Sequence, residues 1–132
     1  MLREHLEKLC KELALKTPKL NEQNVFPLRL GVESLAIRDL DPGVALHANI
    51  CETPKQKKEE LFIYLMRANL LGQGTGGCRI GLNAGENFLT LSWGLPYELS
   101  YQSFRETIED FVNYTIYWRE EIVKFENEER VY

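Results

Sequence analysis

Hydrophobic positions recur along this chain at two spacings, and the changes from one to the other mark its elements. Leu2, Leu6, Leu9 and Leu13 repeat at helical intervals, with Arg3, Glu4, Glu7, Lys8, Lys11 and Glu12 between them. That pattern predicts an amphipathic first helix. Thr17-Pro18 stops it, because the residue before proline avoids helical geometry. From Val25 to Cys51 the spacing becomes two: Phe26, Leu28 and Leu30, then Leu35 and Ile37, then Val44, Leu46, Ala48 and Ile50. Three short antiparallel strands are predicted. Asp41-Pro42-Gly43 reads as the turn between the last two, with proline at the first central position. Pro27 withholds a ladder N–H, so its strand belongs at an edge or carries a bulge.

Thr53-Pro54-Lys55-Gln56 has the form of a helix start, and the second helix is expected to run to about Leu71. Cys78 to Leu82 and Phe88 to Trp93 predict two further strands around Asn83-Ala84-Gly85, with Leu89, Leu91 and Trp93 on one side. In the final helix Phe104, Ile108, Phe111, Thr115, Trp118, Ile122 and Phe125 step by four and three. Such a stripe suits a coiled coil or one helix laid across a sheet, and the latter is expected of a single helix in a small chain. Glu126 to Arg130 is expected to be a frayed tail. The element order is α-β-β-β-α-β-β-α. The fold class is therefore α+β: one two-layer domain over residues 1–132, with a twisted antiparallel sheet packed against helices.

The second helix is greasier than that architecture needs. Leu61, Leu65 and Ala68 share a face, but Phe62, Ile63, Tyr64 and Met66 surround the rest. A helix apolar on all sides is buried on all sides. In two layers only one side meets the sheet. The other is expected to meet an identical chain across a two-fold axis, making the protein dimeric, or else a third layer formed by the first helix.

Composition narrows function mainly by exclusion. The net charge is −4, and no basic stripe is present to neutralise phosphates, so nucleic acid is not an expected partner. Lys55, Lys57 and Lys58 run straight into Glu59 and Glu60, as in a solvated helix start. The longest apolar run, Leu61 to Met66, is far below the ~18 residues of a membrane span. Cys10, Cys51 and Cys78 form no C-x-x-C and no signal peptide precedes them, which implies reduced thiols in a cytoplasm. Cys10 and Cys78 read as small buried hydrophobes.

Catalytic chemistry is not visible. His5 and His47 lie on different elements without metal-ligand spacing, and Glu106, Glu109, Asp110, Glu120 and Glu121 take the outward positions of the last helix. No catalytic, cofactor-binding or metal-binding residue is expected, and the chain is not expected to be an enzyme. The glycine cluster in Ala68-Asn69-Leu70-Leu71-Gly72-Gln73-Gly74-Thr75-Gly76-Gly77-Cys78-Arg79-Ile80-Gly81-Leu82 supports this. Phosphate cradles follow a strand and open a helix; this cluster closes a helix and precedes a strand, as a left-handed cap and reversal would. A small nucleotide-binding enzyme using this loop is the contrary reading, and it requires nucleotide binding that Gly76→Ala abolishes.

The order of these pieces resembles a known family. ANLLGQGTGGCRIGL, then LSWGLP, then FRETIEDFVNYTIYWREEI, which ends on Tyr117, Trp118 and Arg119, is similar to the class I type III secretion chaperones, the Tir-chaperone (CesT/SycE-like) family. The resemblance covers residues 61 to 122, and the element order extends it to the rest; Cys78 stands where a smaller residue is common. It implies a bacterial cytoplasmic dimer that holds the N-terminal region of a secreted effector or regulator in extended form, without cofactor or nucleotide. It places the dimer seam on the second helix and the strands after the glycines: Leu61, Tyr64, Leu65, Ala68, Ile80 and Leu82. Leu6, Leu9, Leu13, Phe26, Leu28, Leu30, Leu35 and Ile37 are the apolar candidates for effector contact, with core packing as the competing role for each. Some members pair with a different small chaperone or bind transcription proteins, so a heterodimer with an added regulatory role is the alternative.

Overall fold

The structure, a computed structural model, describes residues 2–70 and 77–127. Helix α1 (Leu2–Glu12) leads into β1 (Phe26–Leu30), β2 (Glu33–Asp39) and β3 (Val44–Glu52). Helix α2 (Lys58–Asn69), β4 (Arg79–Leu82), β5 (Phe88–Leu95) and α3 (Tyr101–Asn127) follow. The strands make one antiparallel sheet in the order β1-β2-β3-β5-β4. This is the predicted element order. Pro27 sits in an edge strand, where its missing N–H costs no ladder bond.

Register puts most of the large apolar strand residues on one face, Phe88 opposite Glu52 being on the other. Phe26 faces Ile37, Leu28 faces Leu35, Ile37 faces Leu46, and Ala48 faces Leu91, which in turn faces Ile80. Against that face lie Leu2, Leu6, Leu9 and Cys10 of α1 and the whole predicted stripe of α3 from Phe104 to Phe125, all buried. The last helix therefore crosses the sheet as expected. Its start is capped by Ser100, whose Oγ accepts the Ser103 N–H at 3.1 Å.

Three local expectations are corrected. The first helix does not run to Thr17: it closes at Glu12 through a left-handed Ala14 (φ 54), with Leu15 N–H donating to Cys10 O at 2.7 Å and Ala14 N–H to Lys11 O at 3.3 Å. These are the two bonds of a Schellman closure. The reversal turns Leu13 out of the stripe, leaving it 47% exposed. The second helix starts at Lys58, not after Thr53. Thr53 is already committed elsewhere: its N–H donates to Asn87 O at 2.9 Å and its hydroxyl to Glu86 O at 3.1 Å. Those bonds tie the end of β3 to the β4–β5 turn and hold Thr53 there, five residues before the helix begins. Between β2 and β3, Pro42 follows a cis peptide bond and occupies the second central position, between Leu40 and Gly43. Gly43 takes φ 93, and a Cβ there would lie 1.9 Å from Leu95 O, so no other residue fits.

Candidate functional site

Three side-chain anchors hold the sheet and helices in register. Arg119 of α3 forks onto Glu33 at the start of β2, Nη1 to Oε1 and Nη2 to Oε2, while its Nε donates to Ile50 O at 2.7 Å. A β-bulge between Asn49 and Cys51 leaves Ile50 out of the β3–β5 pairing, where Arg119 reaches its carbonyl. Glu33 is buried, and its hydrogen bonds to Arg119 hold its carboxyl below the usual value of 4.5. The second anchor is Tyr64 of α2, which stacks on Trp118 and Phe125 at 5.9 and 5.4 Å between ring centres. Its hydroxyl donates to Glu121.

The third anchor is Asn69, the last residue of α2. Its side-chain amide donates to Ile80 O and accepts the Ile80 N–H, both at 2.8 Å. An amide side chain thus stands in for a neighbouring strand at the outer edge of β4. Replacing Asn69 with Leu removes both partners, and a cost of about 1–3 kcal/mol is expected. Hydrogen exchange at the Ile80 amide should accelerate by roughly 10–100-fold; unchanged protection would show that the pairing is not sustained in solution.

With these anchors set, two clusters of exposed apolar side chains stand out among the described residues. The first is a groove beside β1. The segment between α1 and β1 passes along it, giving a hollow of about 730 Å³ lined by Leu15, Pro18, Pro27 and Leu28. A second hollow of about 290 Å³, lined by Leu6, Pro18, Leu20 and Phe26, adjoins it through the shared Thr17, Pro18 and Lys19. Leu13, Leu15 and Leu20 are all exposed. The second surface is the outer face of α2, where Ile63, Met66 and Leu70, just past the helix end, are 52%, 70% and 66% exposed, with Leu82 exposed on β4. Helix α1 packs instead beside the start of α3, His5 meeting Tyr101 and Phe104, so it forms no third layer over α2.

The residues assigned from sequence distribute unevenly over these surfaces. Of the effector candidates, Leu6, Phe26 and Leu28 line the groove while largely buried, and Leu13 is exposed near it. Leu30 is half-buried, whereas Leu9, Leu35 and Ile37 are enclosed beneath α1 and α3 as core. Of the seam candidates, Leu61, Leu65, Ala68 and Ile80 are enclosed in this chain's own core, Tyr64 is half-buried among Trp118 and Phe125, and only Leu82 is exposed. Helical spacing in α2 was read toward Leu61, Leu65 and Ala68, and the opposite face is the uncovered one. Ile63 and Met66 belong to the side of α2 expected to meet a partner, whereas Leu15, Leu20 and Leu70, and the anchors Glu33 and Asn69, had no role assigned from sequence.

Two of the three cysteines are shielded from chemistry, and Cys51 is half-buried. Cys10 and Cys78 are buried, and burial pushes the Cys78 thiol up to about 12. The glycine cluster from Gly72 to Gly76, with the cap and nucleotide readings attached to it, lies outside the described residues. Among the described residues, no helix is long and apolar enough to cross a membrane.

Comparison with known proteins places this helix-covered five-stranded sheet in a known class. The Tir chaperone protein (CesT) family matches residues 4–119, and the chain belongs to that family. A Chlamydia pneumoniae protein, CPj0713/CpB0740, is 27% identical over 121 residues, 86% of this chain and 92% of that protein. Among solved structures, a chain of the HopA1–SchA chaperone–effector complex superposes with a TM-score of 0.70 at 14% identity, covering 90% of this chain and 93% of that one. The complex of the Yersinia pestis type III secretion chaperone SycH with a stable fragment of YscM2 gives 0.66 at 15% identity, covering 89% and 98%. At those identities the likeness is one of fold.

Proposed function

We propose that this chain is a type III secretion chaperone that binds the N-terminal region of a secreted effector or secretion regulator in extended form, keeping it soluble and ready for export. The observation that carries the reading is the apolar groove along β1. Its exposed Leu15 and Leu20 lie beside an edge strand with no strand partner on its outer side. An unfolded segment can add to such an edge and drop alternate apolar side chains into the groove. Family membership supports the same role, as do the similar structures, one from a chaperone–effector complex and one from a complex of a type III secretion chaperone with a fragment of another protein. The work is sequestration, done without catalysis or cofactor, in the cytoplasm of a bacterium.

We further propose that residues 1–132 act as one domain and that two copies, or this chain and a second small chaperone, meet through the outer face of α2. Ile63, Met66, Leu70 and Leu82 give that face its apolar character.

The test is native mass spectrometry of the tagged chain purified from its own host, followed by limited proteolysis of any companion. A larger secreted protein protected only near its N-terminus is expected. Purification with no companion other than a second small chaperone, or with a larger protein protected throughout, would overturn the reading. In the same assay the double variant Leu15→Asp/Leu20→Asp should lose the companion. Each leucine contributes about 1.5–3 kcal/mol when covered, so a loss of at least roughly 100-fold in affinity is expected.

A further inference from the structure

We propose that the β1 groove selects its cargo by charge as well as by apolarity, taking an extended segment in which acidic side chains alternate with apolar ones. This rests on the cargo-binding role proposed for the groove and names the partner's chemistry. The chain carries 20 acidic and 16 basic residues, yet the groove inverts that balance. Arg3, Lys16, Lys19 and Arg29 line its two hollows, against a single carboxylate, Glu7.

All four cations are exposed, and the ion pairs among the described residues lie elsewhere, at Arg105–Glu12 and Arg119–Glu33. Arg29 Nε donates to the neutral Gly31 O at 3.3 Å, which leaves its charge uncompensated. Geometry supplies the alternation. A strand added beside β1 shares its pleat, so successive side chains point to opposite faces. On one side they meet the Phe26 and Leu28 face; on the other they meet Arg29. Lys16 and Lys19 stand on the connecting segment that forms the groove's far wall. Apolar side chains therefore suit the floor and carboxylates the rims, and basic cargo is repelled.

The experiment uses three dye-labelled synthetic peptides of about eight residues, a strand's length, in which Leu alternates with Glu, Ser or Lys. Their affinities are read by fluorescence anisotropy. The Leu-Glu peptide is expected to bind roughly tenfold more tightly than the Leu-Ser peptide, a few-fold for each exposed pair. The Leu-Lys peptide should be weakest. The differences should collapse in about 1 M salt, where screening acts within a few ångströms. The double variant Lys16→Glu/Lys19→Glu, shown by circular dichroism to remain folded, should reverse the order.

Equal affinities for the three peptides, lost together in Leu15→Asp/Leu20→Asp, would overturn charge selection and leave the groove as an apolar cargo site. Affinities unmoved by that leucine variant, or no binding by any peptide, would overturn the groove itself.

Discussion

Arg119→Ala is expected to lose about 2–3 kcal/mol of folding stability, roughly 10 °C in Tm for a chain of this size. The Glu33 side chain is 10% exposed, so removing Arg119 strands a carboxylate away from water. It also frees the Ile50 carbonyl at the β-bulge. The figure lies below the 3–5 kcal/mol typical of a fully buried pair because Arg119 is itself 36% exposed. The pH dependence gives the prediction a sign. In the native protein Glu33 is held below 4.5, chiefly by its hydrogen bonds to Arg119. The stability from that pair is complete above pH 4.5 and is lost as pH falls through the lower folded value.

In the alanine variant only burial acts on Glu33, and burial raises a carboxyl. The variant should therefore regain stability relative to the native protein as the carboxylate protonates on acidification. Urea denaturation at pH 7 and pH 4 reads the difference, and a gap that stays constant would rule out Glu33 as the group involved. Two further variants separate charge from geometry. Arg119→Lys keeps the charge but cannot fork onto Glu33 while also reaching Ile50 O, and should lose about 1 kcal/mol. Glu33→Leu/Arg119→Leu removes both charges together and should recover much of the loss.

A second large effect is expected on the outer face of α2. If two chains meet there, Met66→Asp places an unpaired charge inside the contact and should weaken association by roughly 100-fold or more. Sedimentation velocity across a concentration series would show a monomer where the unaltered chain is a dimer. Met66 is 70% exposed, so the monomer should keep its far-ultraviolet spectrum and most of its stability. Leu65→Asp serves as the contrast: Leu65 is enclosed in the core, so a charge there should unfold the chain outright. A Met66→Asp protein with unchanged mass would move the seam away from α2.

What the sequence revealed and what it hid divide along a physical line. The α3 stripe, the alternation in β1 to β3 and the edge position of Pro27 were legible because each follows from spacing within one element. The start of α2 was misplaced because Thr53, a good capping residue in isolation, is claimed by Glu86 and Asn87 more than thirty positions away. Glu33 and Arg119 are separated by 86 positions, and nothing in either segment announces the other.

The surfaces were harder still. Apolar spacing marks a side chain that leaves water, and it reads the same whether the cover is this chain or another. Leu6, Leu61 and Leu65 match a docking stripe as well as Leu15 or Met66 do. Which of them stays uncovered is decided by where the chain reverses at Ala14 and by which side of α2 faces α3. Charge at the groove was equally hidden, because Arg3, Lys16, Lys19 and Arg29 stand on three separate segments and gather only when the connecting segment lies along β1.

The unequal treatment of the sheet's two borders has a consequence for stoichiometry. At β4 the Asn69 amide already occupies the outward hydrogen-bonding groups of Ile80, while β1 has no such stopper. A sheet open on both sides can hand on strands indefinitely, which is how edge-to-edge aggregates grow. A sheet open on one side only cannot pass strands through itself: two copies can meet edge to edge, but neither offers a second border to a third. Resistance of the folded chain to open-ended edge-to-edge stacking of its own copies follows from a single asparagine at the end of a helix.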